Sequence, residues 1–482
     1  MSFDVLFRQV TVVDGQGGEP YLADVAVQGD RVVAIGELAD AVASRVIDGN
    51  GRYLMPGFID VHTHDDTNVI RLPDMLAKVS QGVTTVIVGN CGISASPVVL
   101  PGVPPDPMNL LGQREDFAYP TFQAYAEAVE QARPSVNVAA LIGHTALRAN
   151  VMPRFDRPAQ GGEIQAMCAT LDAALQAGAI GLSSGLAYTN AKQAPSSEVQ
   201  ALVDVVGRHG ALYTTHMRNE HDGLLDSLNE SFDTARKAGA DLVISHLKCA
   251  GAANWGRAPL ALAALEEAAA QQPCNCDCYP YSASSTTLDA WRVTETMEIL
   301  ITWSEPHPEM AKKTLRQIAD EWGVGLLDAT ERLRPAGAIY HMMDERDVRQ
   351  ILAHPLSMIG SDGLPNDPNP HPRLWGTFPR VLAHYCRDLK LFELPEAVRK
   401  MSGLSAGRFR LQDRGVVREG AFADLVLVDM ATIEDVATYA DPCRQAPGID
   451  LVLVNGGVAY EHGKVQGRQG RLLKRQPAGQ RD

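Results

Sequence analysis

The run Pro56-Gly57-Phe58-Ile59-Asp60-Val61 leads directly into His62-Thr63-His64. Two imidazoles two residues apart at the end of an apolar strand project to one side and can grip a single metal ion. An isolated HxH pair also arises by accident on exposed strands, so the rest of the chain decides its meaning. Thr84-Thr85-Val86-Ile87-Val88-Gly89-Asn90-Cys91, Leu212-Tyr213-Thr214-Thr215-His216 and Leu242-Val243-Ile244-Ser245-His246 each read as a buried strand closed by a metal-ligating side chain. Ser357-Met358-Ile359-Gly360-Ser361-Asp362 ends in a carboxylate followed by glycine. Uninterrupted apolar runs are the mark of buried parallel strands, and the carboxyl ends of such strands are where a (β/α)8 barrel keeps its chemistry. Five candidate ligands, His62, His64, Cys91, His216 and His246, and the carboxylate Asp362 would therefore share one rim.

The elements that must position them follow from periodicity. Helical segments at Thr121–Gln131, Gly162–Ala177, Ser196–His209, Gly223–Ala238 and Ala258–Gln271 alternate with the strands. That alternation predicts an α/β chain with a parallel sheet, closed here as a TIM-like barrel over residues 57–414. Residues 1–56 read as short strands and turns, and residues 415–482 return to the same style in Ala423–Asp429 and Leu451–Gly457. Neither end carries enough apolar surface to fold alone, so the two termini are expected to build one small β-sandwich together. Residues 285–338 break the rhythm as an acidic, helix-rich insertion, placed where barrel enzymes carry lids.

Composition excludes more than it selects. With 482 residues and 45% hydrophobic content the chain is long enough for a barrel plus an accessory domain. A net charge of −15 and the lack of a basic patch argue against a nucleic-acid partner. No apolar run approaches the ~18 residues of a membrane span, and Met1-Ser2-Phe3-Asp4-Val5-Leu6 has no signal-peptide form, so no membrane partner and a cytoplasmic location are expected. The eight cysteines are then expected to be reduced thiols. Cys274, Cys276 and Cys278 alternate on one strand face; a soft-metal site is conceivable, but small apolar side chains on a strand that carries Tyr279 to the rim are the favoured reading.

Taken together, these strings resemble the amidohydrolase superfamily and, within it, the N-acyl-D-amino-acid deacylases. The resemblance runs through essentially the whole chain: Gly57 to Asp66, Gly89-Asn90-Cys91-Gly92, Thr215-His216-Met217-Arg218-Asn219-Glu220, Ser245-His246-Leu247-Lys248, Tyr279-Pro280-Tyr281, Gly360 to Pro365 and His371-Pro372-Arg373-Leu374-Trp375-Gly376. In many superfamily members a carbamylated lysine bridges two metals; in this subfamily a cysteine stands there, and Cys91 is its counterpart. Leu247 departs from the pattern, replacing a second histidine, and is expected to affect packing only.

The resemblance implies a zinc enzyme that hydrolyses linear amides. A thiolate with two imidazoles, Cys91, His216 and His246, suits one tightly held zinc, and His62 with His64 would form a weaker second position that Cys91 and Asp362 also reach. Asp362 would act as base and then as acid. His144 is read either as an oxyanion-steadying group or as a structural histidine. Lys248, Tyr279, Ser285 and Arg373 match positions that hold the substrate's α-carboxylate. Tyr188, Ala187, Arg292, Thr294, Tyr340 and Met343 are expected around the side-chain pocket, whose strings look closest to the N-acyl-D-glutamate type. The rival readings are a broad D-aminoacylase for hydrophobic side chains, a cyclic-amide hydrolase of the hydantoinase or dihydroorotase type, and a non-catalytic scaffold. The oligomeric state is left open by the sequence.

Overall fold

The computed structural model describes residues 2–475. The stretch 476–482, expected to close the second sandwich segment, lies outside the described residues. Eight parallel strands follow one another around the sheet in chain order. They are Phe58–Asp60 (β1), Val83–Val88 (β2), Asn137–Gly143 (β3), Gly181–Gly185 (β4), Leu212–His216 (β5), Asp241–Ile244 (β6), Cys274–Cys278 (β7) and Ser357–Ile359 (β8). Helices Phe122–Ala132, Gly161–Gln176, Ser196–Arg208, Leu224–Ala238 and Ala258–Ala269 cover the outside, within two residues of the sequence reading.

Side-chain alternation divides the barrel into an inner and an outer core. Ile59, Ile87, Leu141, Leu212, Val243 and Met358 pack inside as one cluster with Phe409 and Leu411. Those last two close the amino-terminal end, where Arg410 bonds Gly210 and Asp241 at the starts of β5 and β6. On β7 the three cysteines join the outer cluster against the helices, and burial pushes the thiols of Cys274 and Cys276 up to about 12. They are packing groups, and their outward orientation turns Asn275 and Asp277 inward.

The seam between β8 and β1 is not a regular ladder. It is closed by a single bridge, Thr63 to Gly363, by the Asp362 amide donating to the His62 carbonyl at 2.8 Å, and by a buried polar knot. Asp60 accepts from the Ser361 amide at 2.8 Å and from Lys78 Nζ at 2.8 Å. Lys78 also reaches Ser361 Oγ at 2.9 Å and Asp65 at 3.2 Å, and it is 1% exposed. Removing one partner of a buried ion pair leaves an uncompensated charge, worth ~3–5 kcal/mol. Lys78→Met is therefore expected to lower unfolding free energy by about that amount, read as a lower denaturant midpoint; an unchanged midpoint would show that the knot does not hold the seam.

The termini meet as anticipated, and the sandwich is one continuous nine-stranded sheet. Strands Tyr53–Pro56 and Leu425–Val428 pair antiparallel at its centre. Its inner face packs Phe7, Val25, Val27, Leu54, Leu425, Leu427 and Leu453 into a separate core. The insertion differs from the helix-rich expectation. It is organised on a three-stranded antiparallel sheet, Ser284–Thr287, Ala336–Tyr340 and Ile299–Ser304, with helices Leu315–Trp322 and Leu326–Leu333 between the second and third strands in sequence. Ser284-Ser285-Thr286-Thr287 escaped notice because a polar strand shows no apolar alternation.

Candidate metal centre and substrate cavity

Most of the cluster sits just past the strands that carry it. Cys91, His246 and Asp362 lie after β2, β6 and β8 with φ of 55°, 36° and 50°. Non-glycine residues in that region cost ~1–3 kcal/mol each and persist where surrounding structure imposes them. Each turn swings the side chain over the barrel mouth. The turn after β2 is pressed against its neighbour: a Cβ on Gly92, where φ is 76°, would lie 2.6 Å from the Gly185 nitrogen, and a Cβ on Gly185 would lie 2.0 Å from the Cys91 carbonyl oxygen. Only glycine fits at either place.

Two ligand groups result, with Cys91 common to both: Cys91, His216 and His246 in one, and His62, His64, Cys91 and Asp362 in the other. Cys91 Sγ is 3.1 Å from His62 Nε2 and 3.3 Å from His246 Nε2, and His246 Nε2 is 3.1 Å from His216 Nδ1. His64 Nε2 lies 3.2 Å from Asp362 Oδ1. Tetrahedral zinc with nitrogen and sulfur ligands places them roughly 3.3–3.6 Å apart, so the donor set fits the ion in type and spacing. Burial would push the Cys91 thiol up, but the charges of His62 and His246 outweigh it and hold the group well below its ordinary range, favouring thiolate. Burial opposes ionisation of Asp362 as well, yet the Arg373 guanidinium and then His62 keep it well below the usual carboxylate range.

Two carboxylates that the sequence reading passed over support the ligands. Asp277 accepts the His246 amide at 2.9 Å and lies 3.3 Å from His62 Nδ1. Glu220 lies 3.0 Å from His246 Nδ1 and 3.5 Å from His216 Nε2. Carboxylates behind ligating histidines fix ring orientation and tautomer.

A cavity of about 740 Å³ opens beside the cluster, lined among others by Ala187, Glu220, His221, Trp255, Trp291, Arg292, Thr294 and Met342. Arg373 is fully buried, its Nη1 2.9 Å from Asp362 Oδ2, its Nη2 donating to the Ser285 carbonyl, and its guanidinium 4.6 Å from the Tyr279 ring. The Tyr279 hydroxyl and Ser285 Oγ are buried without hydrogen-bond partners. Tyr188 packs its ring 4.9 Å from that of His216. Lys248 Nζ donates to Glu220 at 2.6 Å and lies 2.7 Å from His246 Nδ1, nearer the ligands than the reading of it as a free carboxylate grip anticipated.

Three expected positions fall elsewhere. His144 opens helix His144–Val151 and turns its Nε2 to Glu198 at 2.9 Å, beside Arg148, so it stands apart from both ligand groups. Tyr340 spends its hydroxyl on the Thr287 carbonyl and the Asp289 amide, behind Arg292. Met343 packs with Leu247, Cys278 and Ile351 in a small crevice that His246, Lys248 and Tyr279 also line, and its neighbour Met342 lines the larger cavity. Leu247 is a packing residue, 1% exposed.

With that geometry in hand, the likeness to known proteins is unambiguous. A sequence profile of the amidohydrolase family matches residues 45–460. The chain is 45% identical to the D-aminoacylase of Alcaligenes xylosoxydans xylosoxydans over 99% of its own length and 98% of that protein. It is 44% identical to the N-acyl-D-glutamate deacylase of the same organism, covering 98% and 97%. The crystal structure of N-acyl-D-glutamate deacylase from Bordetella bronchiseptica, complexed with zinc and a phosphonate mimic of the tetrahedral intermediate, superposes with a TM-score of 0.95 at 43% identity, over 98% of this chain and all of that one. This chain belongs to the amidohydrolase family. Among the described residues no helix is long and apolar enough to cross a membrane.

Proposed function

We propose that this protein is a zinc-dependent hydrolase of N-acyl-D-amino acids, releasing a carboxylate such as acetate and the free D-amino acid. The observation that carries the reading is the cradle beside the ligand groups. Arg373 and the partnerless hydroxyls of Tyr279 and Ser285 offer donors to a carboxylate within reach of Asp362. Its full-length relatives are named for the same chemistry, which sets aside the cyclic-amide and scaffold readings.

Cys91, His216 and His246 would hold the tighter zinc, with His62, His64 and Asp362 offering a second position. When bound, zinc supplies Lewis-acid polarisation of the amide carbonyl and a more acidic water. Asp362 takes a proton from the attacking water and returns it to the amide nitrogen as the carbon–nitrogen bond breaks, so the departing group leaves as a neutral amine. The Arg373 contact that keeps Asp362 ionised is shared when a substrate carboxylate arrives, which eases proton uptake by Asp362. Tyr188, buried against the His216 ring, limits water on that side of the reacting amide.

Configuration follows from a three-point hold. With the carbonyl at the cluster and the α-carboxylate on Arg373, Tyr279 and Ser285, one direction remains for the side chain, and inversion sends it into the wall. Arg292 bears on side-chain preference. It is 4% exposed, it lines the cavity, its Nε has no hydrogen-bond partner, and no carboxylate pairs with it among the described residues. That favours an acidic side chain, as in N-acyl-D-glutamate. A preference for hydrophobic side chains is the second reading, supported by Trp255, Trp291, Met297 and Met342 in the same cavity wall.

Comparing kcat/KM for N-acetyl-D-glutamate, N-acetyl-D-methionine and N-acetyl-L-glutamate tests both points. The L compound is expected to be at least ~10²-fold slower, the penalty typical of misplacing a reacting group. The glutamate compound should exceed the methionine one by about tenfold, the worth of one charge-assisted hydrogen bond. Equal rates for the enantiomers overturn the hold, and methionine leading overturns the role of Arg292.

A further inference from the structure

Glu220 and Lys248 form a buried pair whose position relative to His246 goes beyond substrate binding. Both are about 5% exposed, and three potential donors surround one carboxylate: Lys248 Nζ at 2.6 Å, His246 Nδ1 at 3.0 Å and His216 Nε2 at 3.5 Å. Lys248 Nζ is at the same time 2.7 Å from His246 Nδ1. Two arrangements compete at that ring nitrogen. An ammonium has only donors, so if Lys248 bonds Nδ1 the histidine must accept there and carry its proton on Nε2. Nε2 is the atom facing Cys91 and His216, and a protonated Nε2 cannot ligate a metal. If Nδ1 instead donates to Glu220, Nε2 is left with its lone pair free.

We propose that Glu220 is a positioning residue that selects the metal-binding tautomer of His246, by accepting its Nδ1 proton and by competing with that nitrogen for the Lys248 ammonium, which lies 2.6 Å from the carboxylate and 2.7 Å from Nδ1. Lys248 is thereby a potential antagonist of metal binding that Glu220 restrains. The restraint also ties the two halves of the site together, because the cation beside the substrate cavity and the ligand beneath it share one acceptor. This inference rests on the reading that His246 ligates the metal.

The test is metal affinity, measured by competition of purified protein with a chromogenic chelator, so turnover is not the readout. Glu220→Ala is expected to weaken zinc binding by about 10–100-fold, the usual effect of deleting a carboxylate behind a ligating histidine. Glu220→Ala/Lys248→Met is expected to recover most of that loss, because the competing donor is gone. Lys248→Met alone should bind zinc at least as tightly as the parent, with Glu220 then serving His246 undivided. A double variant as weak as Glu220→Ala overturns the tautomer argument, as does looser binding in Lys248→Met, and that single variant gives the answer even if Glu220→Ala does not fold. His246→Ala is the control for the underlying reading. If it retains parental affinity, His246 is not a ligand and the premise fails; if it loses zinc while Glu220→Ala keeps it, only the inference fails.

Discussion

Replacing Cys91 with alanine is expected to abolish turnover and to lower bound zinc well below one ion per chain. Cys91 is the one side chain common to both ligand groups, so its loss removes a donor from each position. The buried pocket that now favours a thiolate would be left with imidazoles facing one another around a void. Structural zinc sites of mixed sulfur and nitrogen ligands derive much of their affinity from the thiolate. Metal analysis after dialysis, together with acetate release from an N-acetyl-D-amino acid, provides the check. A Cys91→Ala protein with full zinc and normal turnover would falsify the assignment of the shared ligand.

Asp362→Asn should separate chemistry from binding. The amide can neither accept the water's proton nor return one, while Cys91, His216 and His246 remain to hold zinc. kcat is expected to fall at least ~10²-fold, the scale for losing a general base, with zinc content near the parental value. KM is the informative companion. Arg373 loses the carboxylate it now contacts at 2.9 Å, so its guanidinium becomes more available to the substrate, and KM should hold steady or fall as kcat drops. If zinc is lost and the reconstituted variant turns over normally, Asp362 is a ligand and some other group is the base.

Much of the clustering was legible because barrel chemistry is carried at strand ends, and an apolar run closed by histidine, cysteine or aspartate marks a candidate ligand. The three positive-φ turns that carry Cys91, His246 and Asp362 were not legible, since those residue types show no left-handed preference strong enough to read. Asp277 was within reach. Once the cysteines of Cys274–Cys278 are assigned to the outer face, alternation sends Asp277 inward to the ligands; attention to the sulfurs hid it. Glu220 could not be found by periodicity, because it returns to the site from an irregular turn after β5 that is held by Asn219 and Ser227. Met342, next to the expected Met343, lines the cavity just past the strand Ala336–Tyr340, where alternation no longer tells which of two neighbours faces it. The first strand of the insertion, Ser284–Thr287, was lost for a different reason: its serines and threonines give no apolar alternation to read.

The tight seating of Gly92 against Gly185 bears on which side chain the turn after β2 can present to the cluster. A cysteine sulfur stays close to its own backbone, so for Cys91 to reach both groups of candidate ligands the main chain itself must come close to them, and the two glycines permit that approach. A lysine set in the same turn would overshoot the ligand groups, and restoring its reach would require the turn to withdraw, leaving empty the space the glycines now keep closed. A longer side chain at position 91 would thus call for a change of loop height together with the change of residue.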